Sequence, residues 1–202
     1  MTILVTGATG LVGQELVGLL LQNGHTVHYL STSKKKLVHN NHYKGFYWNP
    51  KTDEIDLDSL TDVEVIVHLA GANVAQKWTT SYKEEIIQSR VLSTKLLFQT
   101  LQKTPNNVKQ IVSASAIGIY PDSLTNIYHE TDTDIDVSFL GNVVKQWENE
   151  VNQFEKLDLV VSKIRIGIVL AKNGGALQEM AKPIKYGVGA AFGSGKQYQS
   201  WI

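Results

Sequence analysis

Residues 3–13 of the chain read ILVTGATGLVG, and this stretch decides the fold. The apolar run Ile3–Val5 predicts a short buried strand, and the apolar spacing over Leu11–Leu21 predicts a helix. Between them lie three glycines, Gly7, Gly10 and Gly13. A glycine turn from a strand into a helix aims free backbone N–H groups and the positive end of the helix dipole at a bound pyrophosphate. The stretch therefore predicts a nucleotide-binding turn.

Each glycine of the turn has its own physical role. Gly7 permits the tight turn, Gly10 lets the backbone approach the pyrophosphate, and Gly13 lets the helix pack closely on the strand. The alternative is a glycine-rich turn that binds nothing. The predicted cofactor contacts of the turn are Gly7, Thr9, Gly10, Leu11, Val12 and Gly13.

Short apolar runs alternate with longer segments of helical period along the rest of the chain. Strands are predicted at Val27–Leu30, Val65–Leu69, Ile111–Val112 and Leu159–Ile164, with a weaker extra strand at Gly45–Tyr47. Helices are predicted at Ile86–Leu101 and Phe139–Phe154. This alternation predicts an α/β protein of Rossmann type, in which a doubly wound parallel sheet of at least six strands carries helices on both faces.

Composition excludes several classes of function. The 19 basic and 19 acidic residues balance, which argues against nucleic acid as a partner. There is no cysteine, so thiolate catalysis and thiolate metal sites are excluded. His39 and His42 lie in a polar segment without a third ligand, so no metal site is predicted. No apolar run approaches the roughly 18 residues of a membrane span, and we expect a cytoplasmic protein.

The end of the second predicted strand bears on the choice of dinucleotide. No Asp or Glu follows Leu30 to bind an unphosphorylated ribose, whereas Ser31, Thr32 and Lys34 suit a 2′-phosphate. We therefore expect NADP(H), with NAD(H) as the alternative. The lysines are equally explained as the solvated start of a helix.

The G-x-x-G-x-x-G spacing of residues 7–13 resembles the extended short-chain dehydrogenase/reductase superfamily. Further segments resemble one branch of it, the atypical reductases known as epimerase family proteins or nucleoside-diphosphate-sugar epimerases. These segments are Trp48–Pro50, Lys77–Thr79, Ser89–Arg90, Ser113–Ala116, Trp147–Glu148, Arg165–Leu170, Gly174–Leu177, Gly193–Gln197 and Ser200–Ile202.

The resemblance implies further cofactor contacts and a domain plan. The dinucleotide is expected against a main chain of small residues after the strand that ends at His68. The implied contacts are Leu69, Ala70, Gly71, Arg90, Ser113, Arg165 and Gly167. Residues 1–170 would form the NAD(P)-binding domain, and residues 171–202 would begin a substrate-side region whose remainder the chain lacks. His68 itself is expected to be a packed strand residue.

The usual reductase chemistry is missing from the sequence. Members of the superfamily pair a Ser or Thr with a Tyr-x-x-x-Lys on the next helix, but Leu140 and Val144 occupy those two positions. The remaining catalytic candidates are Ser115 and Tyr120, with Ser113 as a substitute for Ser115. Structural alternatives are that Ser115 caps a turn, that Tyr120 packs at a strand end, and that Arg90 pairs with Glu84 or Glu85.

Two functions remain open. The first is an oxidoreductase or epimerase that transfers hydride at a carbonyl or alcohol carbon of a small, nucleotide-sugar-like substrate, and the retention of Ser115, Lys77 and Arg90 favours it. The second is a catalytically degenerate protein that senses NADP(H), and the missing Tyr-Lys pair favours it. The sequence leaves open whether the chain forms a homodimer.

Overall fold

The computed structural model describes residues 1–191 and 193–202. The strands are β1 Thr2–Thr6, β2 Thr26–Ser31, β3 Tyr43–Asn49, β4 Glu54–Ile55, β5 Val63–His68, β6 Gln110–Ala116, β7 Val160–Ile166 and β8 Leu170–Ala171. The α-helices are α1 Leu11–Gln22, α2 Thr80–Lys103, α3 Phe139–Asn152 and α4 Gly175–Lys185. Short 3-10 turns lie at Lys34–Lys36, Leu57–Leu60, Ile117–Ile119 and Gln153–Leu157.

Seven strands form one sheet in the order β4-β3-β2-β1-β5-β6-β7. Every neighbouring pair is parallel except β3 and β4, which pair antiparallel through Trp48 and Ile55. The chain winds outward from β1 in both directions, so β2 and β5 flank it. The predicted doubly wound Rossmann sheet is therefore confirmed.

Each face of the sheet carries a separate apolar core. Ile3 and Val5 pack with Val17 of α1 on one face. Leu4 and Ile66 pack with Leu97 of α2 on the other. Alternate residues of a strand point to opposite faces, which is why neighbouring apolar residues of β1 serve different cores. Helices cover both faces, as predicted.

Side-chain caps set the starts of the two long helices. Thr79 accepts a hydrogen bond from the Tyr82 N–H, so α2 begins at Thr80, before the predicted start at Ile86. Its first turns are polar, and apolar spacing alone does not reveal them. Ser138 accepts from the Gly141 N–H in the same way and starts α3 at the predicted residue. None of the helices in the described part of the chain combines the length and the apolar character needed to cross a membrane.

Residues 200–202 run beside residues 167–170, which follow β7. The Ile202 N–H donates to the Ile168 carbonyl at 3.0 Å, and the Leu170 N–H donates to the Ile202 carbonyl at 2.9 Å. Gly167 lies against the same segment, since a Cβ there would come within 2.4 Å of the Ser200 carbonyl oxygen. These contacts hold the end of the segment beside the sheet.

Candidate functional site

A cavity of about 510 Å³ opens where β1, β2 and β5 end. The carboxyl ends of parallel strands on either side of a switch in strand order are where open α/β sheets bind ligands. The predicted residues in its wall are Gly7, Thr9, Ser31, Thr32, Ala70 and Gly71. The structure therefore gathers residues from three separate predicted segments around one cavity.

The glycine turn is packed too tightly for side chains at two positions. A Cβ on Gly13 would lie 2.2 Å from the Gly7 carbonyl oxygen, and one on Gly7 would lie 2.8 Å from the Leu69 carbonyl group. Gly7 also has a φ of +69°, which L side chains rarely adopt. The turn thus rests directly on the Leu69–Ala70 backbone.

The start of α1 fits an anionic group. Gly10 is the N-cap and has no side chain to accept from the first-turn N–H groups, and the first turn has no acidic residue. Leu11 and Val12 contribute backbone to this turn, while their side chains line a groove on another side that also contains Ile202. Free N–H groups and a helix dipole without a nearby carboxylate suit a pyrophosphate.

A buried network ties the turn to α2. Thr6 Oγ1 accepts the N–H groups of Leu69 and Ala70, both at 3.1 Å, and lies 2.8 Å from His68 Nδ1. The threonine hydrogen is therefore donated to Nδ1, and the ring hydrogen on Nε2 faces Thr94 Oγ1 at 3.1 Å. Burial, assisted by the charge of Arg90, lowers the pKa of His68 to about 4. His68 is a neutral connector, fully buried as expected of a packed strand residue.

Arg90 lies behind Gly71, between α2 and α3. Its Nη1 donates to the Ile86 carbonyl at 2.9 Å and its Nη2 to the Ala72 carbonyl at 3.2 Å. The guanidinium carbon lies 5.2 Å from the centre of the Trp147 ring. Burial lowers the pKa of Arg90.

The proposed pairing of Arg90 with Glu84 or Glu85 is not what the structure shows. Glu84 accepts from Gln88, and Glu85 accepts from Lys51 at 2.6 Å. The guanidinium turns inward instead, because the Ala72 carbonyl and the Trp147 ring lie within its reach.

The lysines after β2 do not lie where the sequence predicts, since the predicted phosphate contact is Lys34. Lys34 Nζ lies 4.7 Å from the centre of the Tyr47 ring, whereas Lys36 lies in the wall of the 510 Å³ cavity. The 3-10 turn at Lys34–Lys36 sets this difference. The sequence predicts a contact for Lys34, whereas Lys36 is the lysine of this turn that lines the cavity. A turn conformation within a run of lysines has no apolar period that would reveal it.

The two catalytic candidates belong to a second, charged network. Ser115 Oγ donates to Glu148 Oε1 at 2.5 Å. Arg165 donates to both oxygens of the same carboxylate, from Nε and from Nη2, each at 2.9 Å. Its Nη1 donates to the Tyr120 hydroxyl at 2.6 Å. One arginine and one carboxylate thus connect β6, β7, α3 and the segment after β6.

Charge fixes the state of this network. Burial would raise the pKa of Glu148, but the hydrogen bonds from Arg165 and Ser115 and the charges of Arg165 and Lys163 outweigh it and lower the pKa. The bonds to Glu148 raise the pKa of Arg165. Lys163 Nζ lies 3.9 Å from Glu148 Oε2. Glu148 is therefore a carboxylate that can only accept hydrogen bonds.

Tyr120, Glu148 and Arg165 also line a cavity of about 280 Å³, together with Asp132 and Asp134 of the acidic segment. Its described wall shares no residue with that of the 510 Å³ cavity. Ser113 is fully buried and donates to the Ala114 carbonyl at 2.9 Å. In the sequence, Trp147–Glu148 is only one of the segments that carry the family resemblance. The contacts of Glu148 depend on the position of α3 over β6 and β7.

The chain is similar to proteins of known family. The model of the NAD dependent epimerase/dehydratase family matches residues 3–138. An epimerase family protein of Staphylococcus saprophyticus is 35% identical over 199 residues, which cover 98% of this chain and 65% of the relative. The chain thus spans about 65% of the length of that curated relative.

Two solved structures have the same fold over the whole chain. A human epimerase family protein, solved with NADPH, has a TM-score of 0.78 and 28% identity and is covered over 65% of its length. A nucleoside-diphosphate sugar epimerase from Corynebacterium glutamicum has a TM-score of 0.80 and 31% identity and is covered over 41% of its length. Both comparisons cover 100% of this chain.

Proposed function

The chain belongs to the NAD dependent epimerase/dehydratase family, and we propose that it binds NADP(H) and supports hydride transfer at a carbonyl or alcohol carbon of a small molecule. Residues 1–170 would bind the dinucleotide, and residues 171–202 would begin the substrate side. When bound, the nicotinamide supplies or accepts the hydride, and the protein contributes binding, orientation and hydrogen bonds.

The observation that carries the proposal is the glycine turn opening into the 510 Å³ cavity. Gly7 and Gly13 leave room for nothing larger than hydrogen, and the start of α1 is free of acidic side chains. The turn therefore suits the pyrophosphate, while the β2 end of the cavity suits the adenosine half. The similar human protein was solved with NADPH.

A 2′-phosphate fits the β2 end of the cavity better than a bare ribose. Ser31, Thr32, Ser33 and Lys36 line that end, and we expect their hydroxyls and the Lys36 cation to contact the phosphate. The other charges in the same wall, Lys51 and Glu85, neutralise each other at 2.6 Å. Lys36 is thus left as the cation for an anionic group, which supports NADP(H) over NAD(H).

The substrate proposed is a nucleotide-sugar-like molecule with an oxidisable hydroxyl or a reducible carbonyl. One similar structure is named as a nucleoside-diphosphate sugar epimerase. Ser115 and Tyr120 are the hydroxyls proposed to contact the substrate oxygen, since Leu140 and Val144 offer no polar atom on α3.

The proposal is tested by titrating the protein with NADPH and, in parallel, with NADH while following nicotinamide fluorescence. We expect saturable binding of both, with NADPH at least about tenfold tighter, which corresponds to about 1.4 kcal/mol. Absence of binding by either nucleotide contradicts the proposal. Equal affinities would contradict only the preference for NADP(H).

Three variants sharpen the titration. Gly10→Val should abolish binding of both nucleotides, because its side chain enters the face of the turn that the pyrophosphate approaches. Gly18→Ala is the matched control on the same helix, since a Cβ there meets no described atom within 4 Å. Lys36→Ala should weaken NADPH binding and leave NADH binding unchanged. Unaltered binding by Gly10→Val would remove the turn from the site.

An NADP(H)-sensing protein without turnover is the second candidate. It is favoured because Ser115 and Tyr120 already have partners in Glu148 and Arg165. Tight NADPH binding, together with no nicotinamide oxidation across a panel of aldehydes, ketones and nucleotide sugars, would favour this candidate over the enzyme.

A further inference from the structure

The Ser115 hydroxyl has one hydrogen, and Glu148 takes it. Both Glu148 oxygens accept from Arg165, at 2.9 Å each, and Oε1 also accepts from Ser115 at 2.5 Å. A carboxylate has no hydrogen to return, so Ser115 must be the donor. Ser115 Oγ therefore has only lone pairs available for a ligand. It can accept a hydrogen bond but not donate one.

The Tyr120 hydroxyl has the opposite role, because it accepts its hydrogen bond from the ion pair. Arg165 Nη1 donates to the phenol oxygen at 2.6 Å, and a guanidinium has no acceptor atom. The phenol hydrogen is therefore not used in this bond and is available to an acceptor on a ligand. The same ion pair makes one hydroxyl an acceptor and the other a donor.

The ion pair is rigid enough to impose this polarity. The Arg165 and Glu148 side chains are only 18% and 8% exposed. The bidentate geometry fixes the plane of the carboxylate, and Lys163 adds a second cation at 3.9 Å. Ser115 itself is 4% exposed, so its hydrogen bond to Glu148 lies largely inside the protein.

We propose that Glu148 is a positioning residue that fixes the hydrogen-bond polarity of the site: Ser115 accepts from a substrate hydroxyl, and Tyr120 donates to a substrate oxygen. The inference rests on the proposed function and narrows its substrate class. The group recognised at Ser115 is the hydroxyl of an alcohol, and a carbonyl finds its donor at Tyr120.

The polarity also defines one proton path, which serves both directions of the reaction. A hydroxyl proton released by the substrate alcohol would pass to Ser115 Oγ as the serine proton passes to the Glu148 carboxylate. The same path run backwards would return the proton to the substrate oxygen. The bound dinucleotide would accept or supply the hydride, and Tyr120 would donate a hydrogen bond to the substrate oxygen without losing its proton.

The test compares two inert probes, an alcohol and the ether in which a methyl group replaces its hydroxyl hydrogen. Cyclohexanol can donate to Ser115, whereas methoxycyclohexane has a similar ring and oxygen but no hydroxyl hydrogen. Their affinities for the 202-residue chain saturated with NADPH are measured by ligand-observed NMR. One hydrogen bond of about 1 kcal/mol predicts roughly fivefold tighter binding of cyclohexanol.

Variants separate polarity from a general loss of structure. Ser115→Ala and Glu148→Met should bring the affinity ratio to about one, because the first lacks the acceptor and the second removes the oxygen that takes the serine hydrogen. Ser115→Thr should restore the ratio. Glu150→Met on the same helix is the control and should keep it, and thermal melting checks that each variant is folded.

The outcomes distinguish this inference from the proposed function. If the wild-type chain fails to bind NADPH, the proposed function fails. If NADPH binding is intact but the probes bind equally to the wild type, or neither binds, the polarity assignment is overturned. An unchanged cyclohexanol preference in Glu148→Met would likewise remove Glu148 from the positioning role.

Discussion

Two buried polar networks of this protein each join neighbouring elements of the fold, but they do so with different chemistry. The network around His68 is neutral and joins β1, the segment after β5 and α2 through single hydrogen bonds. The network around Glu148 is ionic and joins β6, β7 and α3 through a bidentate pair. A neutral network contributes geometry without charge, whereas an ionic one stays stable only while both partners are present.

The difference follows the chemistry proposed for each side. On the dinucleotide side, the proposed pyrophosphate contacts are backbone N–H groups, and the neutral His68 positions the neighbouring backbone through hydrogen bonds without adding a charge. On the substrate side, a carboxylate that stays ionised sets the direction of the Ser115 hydrogen bond. The comparison predicts that the networks respond to mutation and to pH in different ways.

The largest expected effect comes from breaking the ion pair. Arg165→Met leaves the Glu148 carboxylate buried with only Lys163 near it, and we expect a loss of about 3 kcal/mol in the free energy of unfolding, measured with urea. The double variant Glu148→Met/Arg165→Met should be closer to wild type. Lys109→Met, which breaks an exposed pair with Glu64, is the control and should cost less than about 1 kcal/mol. Equal losses of unfolding free energy in Arg165→Met and Lys109→Met would contradict the difference between the buried and the exposed ion pair.

A smaller effect is expected in the neutral network. Thr6→Val removes the acceptor shared by the Leu69 and Ala70 N–H groups and the donor to His68, although the Leu69 N–H retains the Thr6 carbonyl at 3.3 Å. We expect a loss of about 2 kcal/mol in urea unfolding. Thr6→Ser keeps the hydroxyl and should lose much less. If serine and valine are equally destabilising, the methyl group of Thr6 matters rather than its oxygen.

The smallest effect is a dependence of stability on pH. Burial lowers the pKa of His68 from 6.5 to about 4, so the unfolded chain takes up a proton first as pH falls. The contribution is complete above the unfolded pKa and is lost as pH falls from there toward the folded pKa. Between roughly pH 7.5 and 5.5 we expect His68 to account for about 1 kcal/mol of lost stability.

The matched variant for this pH dependence is His68→Gln, which cannot titrate. Its stability should fall less steeply over the same pH range, although burial also lowers the pKa of His28, so some slope should remain. Parallel slopes for the variant and the wild type would show that His68 does not carry the effect.

Much of the fold was predictable because its pattern is local. The Ile3–Val5 run, the glycine turn and the apolar face of α3 each indicate their structure within a short window of sequence. The strand at Gly45–Tyr47 was also correct, although β3 extends over Tyr43–Asn49. The sequence analysis missed β4, β8 and α4. The two strands have only two residues each, and α4 contains Pro183 and lies in a glycine-rich region.

The site was predictable in part, for a physical reason. Residues 7, 9, 31, 32, 70 and 71 belong to segments that end at one edge of a parallel sheet, so topology alone brings them to one cavity. The Glu148–Arg165 pair depends on how α3 lies over β6 and β7, and no spacing in the sequence encodes that contact. Whether the named residues bind cofactor or substrate stays a prediction, as does any dimer.

The close packing of the glycine turn has a consequence for redesign and for evolution. Because Gly13 lies against the Gly7 carbonyl and Gly7 against Leu69, this part of the site is made of main chain and has little freedom to vary. The rim consists of Ser31, Thr32, Ser33 and Lys36, which line the cavity and do not belong to the two apolar cores. The preference for one dinucleotide can therefore change in evolution, or be engineered, at the rim while the glycine turn stays the same.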